Sequence, residues 1–241
     1  IWGGEFLLGD ANGFERVAHL RPFRLPGGET AVREPRRSAA GVLFELGIDL
    51  TSSPHGLDSF TERDLRVLTR MLTQRINSPI TTSAGRLFDA ASAMVGLATV
   101  SSFEGQGAMA LEFAASQDDP DPYPMAITKA EGPLVLDWGP MIEAMLTDIG
   151  AGIDAGIVAS RFHAGLERGI VEVARQVGHP RVALTGGCFQ NRVLTERTAR
   201  ALRADGFEVL LHSRVPPNDG GISLGQAIVA AASTGQDPAT A

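Results

Sequence analysis

The stretch from Arg181 to Ala232 constrains the fold most. Arg181 to Leu184 reads as a short buried strand, and Thr185-Gly186-Gly187 as a sharp turn. Asn191 to Ala204 follows as a helix, with Val193, Leu194, Ala201 and Leu202 inward and Arg192, Arg197, Arg200 and Arg203 outward. Gly206 ends it, Phe207 to Leu211 is a second strand, Val215 to Gly221 is a loop, and Ile222 to Ala232 is a last helix. Two strands separated by a helix cannot close as a hairpin, so they pair in parallel through a right-handed crossover. The chain is therefore of the α/β class.

The rest of the chain is mixed. Gly4 to Leu8 and Phe14 to Leu20 read as two strands joined by the turn residues Asp10-Ala11-Asn12-Gly13. Arg21 to Gly28 reads as loop. Pro35 opens a helix with Val42, Leu43 and Leu46 on its apolar face and Gly47 as its stop. Thr61 and Asp64 have capping-box spacing ahead of Leu65, Leu68, Met71 and Leu72. Asn77 to Ser83 reads as loop. A helix follows with Leu87, Phe88, Ala91 and Val95 on one face, and another runs from about Gln106 to Ala115. Gln117 to Pro124, with three aspartates, reads as a solvated loop. Met125 to Thr128 and Leu134 to Leu136 suit a short hairpin, Met141 to Ile149 a helix, and Asp154 to Val177 a long one. The tail from Thr234 is expected to fray.

Composition narrows the function. Net charge is −7, which disfavours binding along a nucleic-acid backbone. One cysteine, Cys188, allows no internal disulfide and no cysteine zinc cluster, and it fits a reducing compartment. No apolar run is long enough to span a bilayer, and the first residues do not make a signal peptide. His19, His55, His163, His179 and His212 have no metal-ligand spacing, and His163 reads as a structural residue of its helix. Glu104 and Glu112 lack a partner that would mark an acid/base pair.

Three constellations can carry chemistry. Gly186 and Gly187, at a strand's carboxyl end and ahead of a helix, let an anion approach backbone N–H groups, or they simply make a strand-to-helix turn. Asp219 in Asn218-Asp219-Gly220-Gly221 lies on the same sheet edge, where a carboxylate can hold a metal against ligand oxygens or cap a helix. Ser83 can cap a helix in which Gly85 and Asp89 share a face, so that Asp89 either accepts from ribose hydroxyls or pairs with Arg86. Cys188 is a candidate nucleophile or a small buried residue.

Six segments, in order, resemble one family. They are Ile1-Trp2-Gly3-Gly4-Glu5-Phe6-Leu7, Phe14 to Leu20, Asn77-Ser78-Pro79, Ser83 to Ala90, Gly186 to Arg192 and Pro216 to Gly221. The family is the carbamoyltransfer (C-terminal) domain of the hydrogenase-maturation carbamoyltransferases, HypF. The resemblance covers essentially the whole chain. It implies the actin, sugar-kinase and heat-shock-ATPase superfamily, with ribonuclease-H-like α/β lobes and helical insertions. On that scheme residues 1–30 are the remainder of the first lobe, 31–124 a helical region and 125–241 the second lobe.

The resemblance also implies the activity. Carbamoyl phosphate and ATP give carbamoyl adenylate, and the carbamoyl group passes to the C-terminal cysteine thiol of a HypE-type partner, in the cytoplasm. Gly186, Gly187 and Asn191 are then expected to line the adenosine pocket. Gly85 and Asp89 are expected to face ribose and base, and Asp219 to bind a divalent metal. The family's paired-His metal motif and a further Asp have no counterpart here, so the chain is expected to be an N-terminally truncated domain, inactive alone. Two other readings stay open: a non-catalytic module that docks a partner, and an O-carbamoyltransferase acting on a small-molecule hydroxyl.

Overall fold

The computed structural model describes residues 1–52, 56–116, 119–129 and 131–233. His55, Gln117, Asp118 and the tail from Thr234 lie outside the described residues. The chain opens with an antiparallel hairpin of β1 (Glu5–Asp10) and β2 (Gly13–Leu20). Asp10 Oδ1 accepts from the backbone N–H of Asn12 at 2.7 Å and closes the turn. Next come β3 (Phe23–Arg24), α1 (Thr30–Arg33) and α2 (Pro35–Glu45). Pro35 sits in the first turn of α2, and Gly47, just past its end, has φ of 74°. α3 (Glu62–Gln74) starts with the expected capping box between Thr61 and Asp64.

The order then runs β4 (Ile80–Thr81), α4 (Ala84–Met94), α5 (Gln106–Ala114), β5 (Ala126–Thr128), β6 (Leu134–Asp137), α6 (Gly139–Gly150) and α7 (Ala155–Val177). The end of the chain holds β7 (Arg181–Leu184), a 3-10 turn at Gly187–Gln190, α8 (Arg192–Ala204), β8 (Glu208–Leu211), a second 3-10 turn at Asp219–Gly221 and α9 (Ile222–Ser233). No helix among the described residues is long and apolar enough to cross a membrane.

Four strands form one sheet in the order β1-β2-β6-β5, with β2 and β6 parallel from Ala18↔Leu134 to Leu20↔Leu136. The hairpin of residues 1–30 and the strands after residue 125, assigned from sequence to different lobes, thus share hydrogen bonds. Residues 23–24 and 80–81 were expected as loop but pair antiparallel as β3 and β4. Two-residue strands carry no periodicity, and their pairing depends on a distant partner. β7 and β8 pair in parallel along their whole length, as expected. β7 is buried on one face only: Leu184 is covered while Arg181 and Ala183 are exposed. A small cluster of Val171, Ala174, Leu184, Ala199 and Leu202 packs α7 and α8 under it. α9 leaves Ile222, Leu224, Ile228 and Val229 exposed.

The main core joins the four-stranded sheet to α2, α4, α6 and α7 through Phe23, Leu43, Leu87, Phe88, Leu136, Trp138 and Phe162. α2 lies so close to β3 that a Cβ at Gly41 would meet the Arg24 carbonyl oxygen at 1.9 Å. Gly41 therefore sets the approach of helix to strand. Gly41→Ala is expected to destabilise by about 1–3 kcal/mol, the usual cost of overpacking. A thermal denaturation midpoint equal to that of the parent protein would refute this.

Candidate functional site

The loops after β7 and β8 touch. Gly186 donates its N–H to Pro217 O at 2.7 Å, and His212 Nε2 lies 2.9 Å from Thr185 Oγ1. Gly186 has φ of 96°, a conformation that favours glycine. Gly187 is different. Its φ is not positive, and a Cβ there would meet nothing within 4 Å. Neither packing nor backbone geometry within the chain demands a glycine at that position, and the space beside it is open.

The 3-10 turn delays the start of α8 to Arg192. Asn191 caps this helix, its Oδ1 accepting from Leu194 N–H at 2.8 Å. The helix N-terminus is not vacant. Arg192 N–H donates to Glu112 Oε1, from α5, at 2.7 Å. A carboxylate therefore already sits at the positive end of the helix dipole. Nothing in the sequence around Glu112 signals that contact, because it depends on how α5 packs.

The α4 motif faces this turn. A Cβ at Gly85 would lie 4.0 Å from Cys188 Sγ, and Gly85, like Gly187, is not required by its own surroundings. Ser83 Oγ accepts from Arg86 N–H at 3.4 Å, the expected cap. Arg86 Nη1 lies 2.9 Å from Asp89 Oδ2. Neither atom satisfies hydrogen-bond geometry, so the pair is a close ionic contact rather than an aligned bond. Asp89 is 2% exposed, and a Cβ at Gly107 of α5 would reach its Oδ1 at 2.8 Å. Gly85 and Asp89 were expected to share a helix face, with Asp89 either reaching ribose or pairing with Arg86; the structure leaves Gly85 partly open, sets Asp89 against Arg86 and roofs it with α5. Burial pushes the Asp89 pKa up to about 6 against the pull of Arg86, with Glu104 adding to the rise. Burial likewise pushes the Cys188 thiol up to about 11, which keeps it protonated and a poor nucleophile at neutral pH.

His163, on α7, joins the two motifs from behind. It is fully buried; Nδ1 is 2.7 Å from Ala159 O, and Nε2 is 2.9 Å from Asn191 Nδ2. Burial lowers its pKa to about 4, so the imidazole is neutral at pH 7. Nearby Arg197, expected to face outward, turns sideways to meet Glu167 at 2.8 Å. A helix edge packed on a neighbour offers a long side chain a half-buried partner.

Asp219 is exposed. The cap of its turn is Asn218, whose Oδ1 accepts from Gly220 N–H at 3.1 Å. Among the described residues no group of three or more His, Cys, Asp or Glu is arranged to hold a metal. The residues present therefore do not fit a metal centre; Asp219 offers one carboxylate. A pocket of about 370 Å³ lies elsewhere, lined by Asp121, Tyr123, Asp148 and Arg161, and none of the motif residues borders it.

Comparison with known proteins agrees with the motifs. Residues 1–226 match the family described as "Carbamoyltransferase, Kae1-like Domain, second subdomain". Carbamoyltransferase HypF of Synechocystis sp. is 37% identical over 94% of this chain, and that of Rhodobacter capsulatus 40% identical over 96%. The chain spans 31% and 30% of those two proteins. A crystal structure of full-length HypF in the phosphate- and nucleotide-bound form has a TM-score of 0.88 at 34% identity, over 95% of this chain and 30% of that one. The HypF of T. kodakarensis has a TM-score of 0.80 at 28% identity, over 97% of this chain and 32% of that one. These structures share the α/β fold with helical insertions expected from the sequence. The chain belongs to the HypF carbamoyltransferase family, matching the second subdomain of its Kae1-like domain.

Proposed function

We propose that this chain forms the nucleotide-facing part of a carbamoyl-transfer site. In the parent reaction water cleaves carbamoyl phosphate to carbamate and phosphate, and carbamate attacks the α-phosphorus of ATP to give carbamoyl adenylate and pyrophosphate. The sulfur of a C-terminal cysteine on a HypE-type partner then attacks the carbamoyl carbon. A C–S bond forms, the bond to AMP breaks, and the thiol proton is released. Work in the cytoplasm suits this chemistry, which needs a free thiol. The division into residues 1–30, 31–124 and 125–241 belongs to the same proposal.

The observation that carries it is the junction of three motifs. Gly85 faces Cys188, and Gly186 bonds to Pro217, so the segment 186–191 adjoins both 83–89 and 216–221. Gly85 and Gly187 are glycines that their own surroundings do not require, as expected where a flat ligand approaches the backbone. The nucleotide-bound state of a relative at 34% identity supports the same reading. On this reading Gly186, Gly187 and Asn191 line the adenosine pocket and Gly85 borders it. Asp89 reaches ribose only if α5 shifts from above it. Asp219 adds one exposed carboxylate to the same loop edge, available to a cation carried by the nucleotide phosphates.

The test separates folding from binding. Gly187→Ala and Gly85→Ala are expected to leave the thermal midpoint of the intact protein in place. Each should weaken ATP binding about tenfold, or about 1.4 kcal/mol. Titration calorimetry with ATP, beside a melting curve, reads both. Wild-type affinity in both variants would sink the proposal. Mass spectrometry of a cysteine-ended peptide incubated in competition with an aminoglycoside then distinguishes a thiol acceptor from a hydroxyl one.

A further inference from the structure

We infer that His163 is a positioning residue for the nucleotide site, holding the Asn191 carboxamide in one orientation from behind. The inference rests on the proposal that Asn191 lines the nucleotide pocket.

Three contacts settle the proton positions. Leu194 N–H must donate, so the Asn191 atom 2.8 Å away is its oxygen. The other end of the amide, Nδ2, then faces His163 Nε2 at 2.9 Å and donates to it. Nε2 therefore carries a lone pair. On the far side of the ring, Nδ1 faces the Ala159 carbonyl at 2.7 Å, and a carbonyl only accepts, so Nδ1 carries the hydrogen. Each contact demands the same amide orientation and the same imidazole tautomer. One Nδ2 hydrogen and one lone pair of Oδ1 remain unused, and these are what Asn191 can offer to a ligand.

The ring itself is held. Phe88 approaches it with centroids 5.4 Å apart at 62°, and Phe162 at 6.1 Å and 87°. Phe88 lies on α4, beside Asp89 and one turn from Gly85. His163 thus connects the α4 motif to Asn191 through α7, although it stands at neither loop. His163 touches no candidate ligand position, and its one polar contact toward the proposed site is the bond to Asn191.

Two conservative variants divide the imidazole's two bonds. In His163→Gln, Oε1 falls near the place of Nε2 and can accept from Asn191. In His163→Asn, the shorter amide can donate to Ala159 O but cannot reach Asn191. Calorimetric titration of the intact protein with a non-hydrolysable ATP analogue should show His163→Asn weakened about tenfold, on the scale of one lost hydrogen bond. His163→Gln should bind within about threefold of wild type, by the same scale. The double variant His163→Asn/Asn191→Ala should bind no worse than Asn191→Ala alone, because both act through one contact. Additive losses, or affinities that track melting temperature in both His163 variants, would overturn the positioning role. If Asn191→Ala binds the analogue like wild type, the nucleotide reading of Asn191 itself has failed, and the role of His163 falls with it.

Discussion

Arg86→Met is expected to destabilise the protein by about 3–5 kcal/mol at pH 8, the usual cost of stranding one partner of a buried ion pair. Arg86 and Asp89 are 10% and 3% exposed at their side chains, and their charged atoms lie 2.9 Å apart. Without the guanidinium, the carboxylate stays beneath α5 with no cation in contact. The loss should also depend on pH. Burial already raises the Asp89 pKa from 3.8 to about 6 in the folded protein. A carboxyl group raised in this way favours the folded state while protonated. Its contribution is present below 3.8 and is lost as pH climbs to about 6. Removing Arg86 raises that pKa further, so the gap between variant and wild type should be widest above pH 6 and should shrink by pH 5. Urea denaturation at pH 5 and pH 8 checks both statements. A loss below about 1 kcal/mol, equal at the two values, would mean that the pair behaves like a solvated surface bridge.

Trp138→Ala should cost about 3–5 kcal/mol, a large part of an ordinary domain's stability. Trp138 is fully buried between the end of β6 and the start of α6. Its ring meets Phe23 edge-on at 5.8 Å, and its Nε1–H donates to Arg21 O at 2.6 Å. The Arg21 guanidinium lies 5.0 Å from the ring centroid and also donates to Glu45 O at the end of α2. One side chain therefore ties the four-stranded sheet, β3 and α2 together. Trp138→Phe keeps the aromatic contact but loses the donor, so it should cost about 1–3 kcal/mol. The comparison separates ring packing from the hydrogen bond. Equal losses in the two variants, measured by urea denaturation, would assign the whole effect to the bond.

Local chemistry was readable from the sequence because neighbouring residues carry it. The capping box at Thr61–Asp64, the Ser83 cap and the turn of the first hairpin all join residues within four positions of one another. The parallel pairing of β7 and β8 was also readable, since a strand–helix–strand order leaves no short antiparallel path. That pairing was enough to put Gly186 and Asp219 on one edge. The sequence alone therefore determined the fold class and the neighbourhood of two motifs, and the ordered segments identified the family.

The tertiary structure decided what surrounds those motifs. The spacing of Arg86 and Asp89 already offers their pairing, but only the packing of α5 through Gly107 shows that Asp89 is roofed over. Glu112 reaches the first amide of α8 across 80 residues of sequence, and β3 finds β4 across a shorter but still long gap. His163 is legible as a structural helix residue, but its bond to Asn191 arises where α7 and α8 pack side by side. Hydrogen-bond preferences act over a few residues and leave a pattern in the chain. Burial and charge pairing depend on which distant surfaces meet, and that is settled only when the core closes.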